Sequence, residues 1–133
     1  DVYKRQGVKM KLIFTYIQHK GQIIPTCHLE ENHQLNPLTG YLNDPMGGPN
    51  YFSFLDHSLS ILTDEAIQEV DISSNSWGVE VMNDQVNFYF LFAQEEESLY
   101  LTLPRGIMID VLRLWLIFRS QEPEEGLTQR LEF

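Results

Sequence analysis

Between Trp77 and Leu103 the chain alternates apolar and polar residues with a period of two: Trp77, Val79 and Val81, then Val86, Phe88, Phe90 and Phe92. Asn and Asp tolerate positive φ, so Asn83-Asp84 predicts a two-residue hairpin turn. That turn sets Met82 opposite Gln85, Val81 opposite Val86, Val79 opposite Phe88 and Trp77 opposite Phe90. All the large apolar residues then share one face, with Glu80 and Asn87 on the other, so turn and pattern agree on one register. Residues 94–98 predict the next turn, and LYLTL at 99–103 the third strand of a meander.

Pro104 suits the start of a helix, where its missing N–H costs nothing. Over about 105–120, Ile107, Met108, Val111, Leu114, Trp115 and Phe118 fall on one helical face, with Asp110, Arg113 and Gln121 opposite. Ile109, Leu116 and Ile117 extend the apolar surface. Near the start, MKLIFTYIQ at 10–18 reads as a strand, His19-Lys20-Gly21 as a turn and QIIPTCHL at 22–29 as a returning strand. Pro25 lacks a ladder donor, which places that strand at an edge or a bulge. In 53–70, Phe52, Leu55, Leu59 and Leu62 have helical spacing, with Asn50 as a cap. Thr63 followed by Asp64 and Glu65 predicts a second short helix at 64–69. These elements make an α+β fold: an N-terminal hairpin and a meander forming antiparallel sheet, covered by the C-terminal helix.

The expected organisation is one domain over 10–121. DVYKRQ at 1–6 fits no pattern that follows and resembles a read-through artefact of fragmentary environmental sequences, so 1–9 stand outside the fold. The acidic tail, 122–133, is expected to fray. A chain of 133 residues with 43% apolar residues has enough material for one packed core. A single cysteine, Cys27, fits a reducing compartment. MKLIFTYIQ lacks the features of a signal peptide, and 107–118 is too short to span a bilayer, so the expected location is cytoplasmic.

Charge sharpens the picture. The formal net charge is -10, and no Lys or Arg occurs between Lys20 and Arg105. Carboxylates run through that stretch, from Glu30 to Glu97. Such a field repels nucleic acid and anionic membrane and attracts a basic protein. A solvated, solubilising surface is the plainer explanation of the same charges.

Candidate chemistry is sparse. CHLEENH brings Cys27, His28 and His33 near Glu30 and Glu31, but the spacing is irregular and short of a structural zinc set, so no metal is expected. Cys27 and His28 are adjacent on a strand and point to opposite faces, which argues against a nucleophile–base pair. Asp56-His57 lacks a partner, so no catalytic residue, cofactor or enzymatic activity is assigned. LNPLTGYLNDPMGGPNYF at 35–52 carries Gly40, Gly47 and Gly48 but no Lys to hold a phosphate, and Asp44 would repel one. NPLTG and NDPMGGPN read as successive tight turns, with Tyr41, Tyr51 and Phe52 offering interface aromatics. Glu95, Glu96 and Glu97 occupy a hairpin tip open to a basic partner.

The WGVEV–VNFYFLF–LYLTLPR run at 77–105, the aliphatic helix with Trp115 and the missing positive charge resemble small acidic immunity proteins of bacterial toxin systems. The resemblance covers most of the chain and matches no diagnostic motif. It implies a protein that neutralises a basic toxin domain, often a nuclease, by covering its surface. Loop carboxylates (Glu30, Glu31, Asp44, Glu95, Glu96 and Glu97) would then stand in for phosphate, with Tyr41 and Tyr51 as anchors. The alternatives are an adaptor that self-associates through Ile109, Leu116 and Ile117, and a small hydrolase using Asp56, His57 or His28.

Overall fold

The structure is a computed structural model that describes residues 10–31, 34–44 and 50–133, the side chains of 50–52 excepted. The fold is α+β, as expected, and its antiparallel strands form two sheets. The first holds β1 (Lys11–His19), β2 (Gln22–Leu29) and β7 (Thr128–Glu132), with β1 in the middle. The second holds β3 (Glu69–Asp71), β4 (Trp77–Met82), β5 (Gln85–Phe90) and β6 (Leu101–Pro104), in sequence order. Helices α1 (Pro37–Asn43) and α2 (Asn50–Thr63) lie between β2 and β3 in the chain, and α3 (Arg105–Arg119) lies between β6 and β7.

Both predicted hairpins form, and β4–β5 has the predicted register. Lys20 (φ 50) and Gly21 (φ 79) close β1–β2 with His19 opposite Gln22. Asn83 (φ 58) closes β4–β5 with Met82 opposite Gln85 and Trp77 opposite Phe90. The Glu30 N–H donates to the Lys11 carbonyl at 3.0 Å, which sets the alternation of hydrogen-bonded pairs along β1–β2. Pro25, opposite Tyr16, then turns its donorless nitrogen to the outer edge, where a proline is tolerated. Cys27 presents its backbone to the same edge. There the Asn43 side chain accepts from the Cys27 N–H at 3.0 Å and donates to its carbonyl at 2.7 Å, like one rung of an added strand.

The inner face of the first sheet (Leu12, Phe14, Tyr16, Cys27) is buried, with Phe14 and Tyr16 against α3. Phe14 meets Trp115 with ring centroids 4.9 Å apart, and Tyr16 meets Phe118 at 4.8 Å. The Tyr16 hydroxyl donates to the Phe118 carbonyl at 2.6 Å. The second sheet buries Trp77, Val79, Val81, Val86, Phe88, Leu101 and Leu103. α3 also packs on β5 and β6, so it has neighbours on two sides. Its buried stripe is therefore wider than one helical face predicts. Leu112 and Leu116 are buried beside Met108, Val111, Trp115 and Phe118, while Ile107 and Leu114 are half-buried.

Four expectations are corrected. No helix covers 64–69: the Asp64 carboxylate accepts from the Ala66 N–H at 3.0 Å in a local turn, and the chain passes into β3. The tail is not frayed throughout, because Thr128–Glu132 pairs with β1 as β7. The NPLTG segment is not a tight turn but helix α1. Asn36 caps it, its Oδ1 accepting from Leu38 N at 2.9 Å and Thr39 N at 3.1 Å, with Pro37 in the first turn. Phe92 is not on the apolar face: β5 ends at Phe90, and a turn at 91–92 leaves Phe92 75% exposed. The role given to Asn50 as a cap and the turns at 45–49 lie outside the described residues and side chains.

Candidate functional site

The outer face of the β3–β6 sheet follows from the strand registers. One cross-strand row reads Asp71, Glu80, Asn87, Thr102; the next reads Glu69, Met82, Gln85, Pro104. On the other side of the first row, Gly78 stands opposite Tyr89, and Tyr100 follows just before β6. The face therefore has carboxylates on β3–β4 and tyrosines on and beside β5–β6. Every one of these positions except Gly78 is half-buried or exposed.

Gly78 makes the tyrosine platform possible. A Cβ at residue 78 would fall inside the Tyr89 ring, so that ring rests directly on the β4 backbone. Tyr100 stacks against Tyr89, centroids 5.9 Å apart and planes 24° apart. Both hydroxyl groups are held: Tyr89 donates to Glu80 Oε1 at 3.2 Å and Tyr100 to the Gln94 carbonyl at 2.7 Å. Thr102 donates to Asn87 Oδ1 at 2.8 Å. Partial burial, then the Glu80 charge and hydrogen bond, then Asp71 and Tyr100, hold the Tyr89 phenol above its ordinary pKa. Glu80, Asn87, Tyr89, Gln94, Tyr100 and Thr102 line an open depression of about 510 Å³.

Asp71 stands directly opposite Glu80. Like charges in that position destabilise a sheet. One Asp71 oxygen is taken by the Ser73 N–H at 2.8 Å, but among the described residues no Lys or Arg on this face offsets the pair. The nearest basic residue along the chain, Arg105, is committed elsewhere. Its guanidinium donates to the carbonyls of Leu62 (3.0 Å), Asn83 (3.1 Å), Asp64 (3.2 Å) and Ile61 (3.3 Å). It closes the C-terminus of α2 onto the β4–β5 turn, in the manner of a cationic cap.

The sequence-level candidates divide. Glu95, Glu96 and Glu97 are exposed on the β5–β6 connection that carries Phe92 and Tyr100, next to the tyrosine platform. Glu31 is exposed, and Glu30 pairs with Arg130 at 3.2 Å on the other sheet. Tyr41 and Asp44 are removed from any contact surface. Tyr41 is fully buried, its hydroxyl donating to the Ile72 carbonyl at 2.7 Å and lying 3.1 Å from Ser58 Oγ. Asp44 is 5% exposed, and its Oδ2 accepts from the Ser76 N–H at 2.8 Å and from the Ser74 hydroxyl. It ties the end of α1 to the start of β4. The Tyr51 side chain and His33 lie outside the described residues and side chains.

Cys27 points into the core, where burial pushes its thiol pKa up, and His28 lies on the opposite face with Nδ1 2.8 Å from the Leu29 carbonyl. Asp56 and His57 are exposed on α2, a different element from His28. Among the described residues no three His, Cys, Asp or Glu side chains group as metal ligands. Of the proposed self-association patch, Ile117 is 57% exposed, while Ile109 is half-buried and Leu116 buried. Alternation along β4 and β5 placed Glu80 and Asn87 on the outer face and could have placed Tyr89 there. The predicted register also sets Gly78 opposite Tyr89, but the seating of the ring on the β4 backbone was not visible in it.

No helix among the described residues is long and apolar enough to cross a membrane. The chain belongs to the family described as a family of unknown function (DUF5376), which it matches over residues 10–125. It is 64% identical over 124 residues to an uncharacterised protein of Pasteurella multocida (strain Pm70), covering 93% of this chain and 98% of that protein. No solved structure matches it.

Proposed function

We propose that this protein binds a basic protein, and that the outer face of the β3–β6 sheet with the adjoining 91–100 segment is the binding surface. The partner class that best suits it is a toxin domain with a cationic surface, which the protein would cover in the cytoplasm as an immunity protein does. The observation that supports this most is the Asp71–Glu80 pair: two carboxylates face each other across β3–β4, and a partner's cation would relieve them. Exposed Phe92 and Tyr100 supply the aromatic area that such interfaces use as anchors. The Glu95–Glu97 carboxylates beside them would speed encounter with a cationic partner more than they would tighten the complex.

Co-expression with the product of the neighbouring reading frame tests the proposal. Rescue of the host from a toxic neighbour, lost on Glu80→Lys in a protein that still folds, would support it. A neighbour that is neither toxic nor bound would count against the immunity role.

A further inference from the structure

We propose that the tyrosine–carboxylate face reads arginine: a segment of the partner protein lays a guanidinium on the Tyr89–Tyr100 platform while Glu80 and Asp71 accept its N–H groups. This rests on the reading of the sheet face as the surface for a basic partner, and it names the group that surface selects.

Planarity is the first argument. Tyr89 lies directly over Gly78 and stacks with Tyr100, which makes a flat aromatic patch 52% exposed at Tyr100. A planar, weakly hydrated guanidinium stacks on such a surface; a lysine ammonium is a compact, strongly hydrated point charge. The second argument is the set of groups on offer. Both phenol protons are already donated, to Glu80 and to the Gln94 carbonyl, so the rings are held in place. What they present outward is ring face and oxygen lone pairs, and both attract a cation.

The third argument is the position of the carboxylates. The Tyr89–Glu80 hydrogen bond at 3.2 Å fixes an acceptor at the rim of the ring, and Asp71 stands opposite Glu80 on the next strand. An ionised carboxylate has about four acceptor sites, so one donated phenol leaves room for the forked donors of a guanidinium. The depression of about 510 Å³ beside them is lined by Asn87, Gln94 and Thr102, polar partners for the peptide backbone that carries the arginine.

The test compares two capped pentapeptides, Gly-Arg-Gly-Arg-Gly and Gly-Lys-Gly-Lys-Gly, titrated into the protein at low salt. The tyrosine ring and backbone amide resonances are followed by NMR. The arginine peptide should shift the rings of Tyr89 and Tyr100 and bind about two- to fivefold more tightly per stacked side chain. Tyr100→Leu, an exposed position, should abolish that preference for arginine over lysine, and Glu80→Gln should weaken both peptides. Equal shifts from both peptides, insensitive to Tyr100→Leu, would overturn arginine selection and leave the binding surface standing. If neither peptide perturbs this face, the choice of surface fails as well.

Discussion

On the outer face of the β2-β1-β7 sheet, Lys11 and Arg130 stand among Glu30 and Glu132, and Arg130 reaches Glu30 at 3.2 Å. On the outer face of the β3–β6 sheet, Glu69, Asp71 and Glu80 stand with Tyr89 and Tyr100, without a Lys or an Arg among the described residues. The first face neutralises itself, and salt and water can satisfy what remains. The second keeps two carboxylates opposite each other beside a flat aromatic patch. Two sheets with similarly apolar inner faces thus differ in what they leave unfinished on the outside. Electrostatics that do not serve the fold are a reason to look for a partner.

The largest expected effects lie inside both sheets, where substitutions should change stability and not recognition. Trp115→Ala should cost about 3–5 kcal/mol in urea unfolding, because it opens a cavity against Phe14 and Phe118. Trp115→Phe should cost less, since Trp115 Nε1 has no hydrogen-bond partner among the described residues and phenylalanine buries no donor there. Arg105→Ala should cost about 1.5–3 kcal/mol, because half-buried carbonyls of α2 lose a charged donor. Arg105→Lys should recover only part of it: a single ammonium cannot reproduce the fork that spans Leu62 and Asn83. Peptide binding by whatever folded fraction remains should be unchanged in all of these variants.

The same division explains what could be read from the chain alone. The β4–β5 register was legible because a two-residue turn and an alternating pattern are local and agree with each other; the N-terminal hairpin was legible only as two strands and a turn. Pro25 announced an edge for the same reason. Helix α1 was not legible, although Asn36-Pro37 is a helix start. Gly40 argues against a helix, and its reason, the Trp77 indole that a Cβ would penetrate, is far away in the chain. Strand β7 was hidden too: TQRLE is polar at every position but Leu131, and only pairing with β1, more than a hundred residues away, orders it. Tyr41 and Asp44 looked like surface groups because nothing local reveals that Ile72, Ser74 and Ser76 will meet them.

Smaller effects probe the outer face itself. Tyr89 should ionise above the ordinary tyrosine value of about 10, and Glu80→Gln should bring it down by removing the neighbouring charge. In the folded protein the phenol keeps its proton to higher pH than in the unfolded chain. Its contribution is therefore fully present below the unfolded pKa and disappears as pH rises through the folded one. Tyr89 ring resonances followed against pH would measure this directly. Unchanged titration in Glu80→Gln would show that the carboxylate does not act on the ring. Cys27, buried and with its thiol pKa raised by burial, should resist alkylation in the folded state and react only on unfolding.

The smallest change gives the sharpest contrast. Asp71→Asn removes one member of the like-charged pair but retains an oxygen to accept from the Ser73 N–H. Stability at low salt should rise by about 0.2–1 kcal/mol, the size of an unfavourable cross-strand pair relieved. Glu30→Gln on the other sheet removes one side of an exposed ion pair, so it should leave stability unchanged or lower it by up to about 1 kcal/mol. Arginine-peptide affinity should fall in Asp71→Asn and stay constant in Glu30→Gln. A face kept for binding must gain stability when its charge is removed and lose affinity at the same time. If Asp71→Asn lost stability and left affinity unchanged, the carboxylate would belong to the fold, and the two outer faces would be equivalent after all.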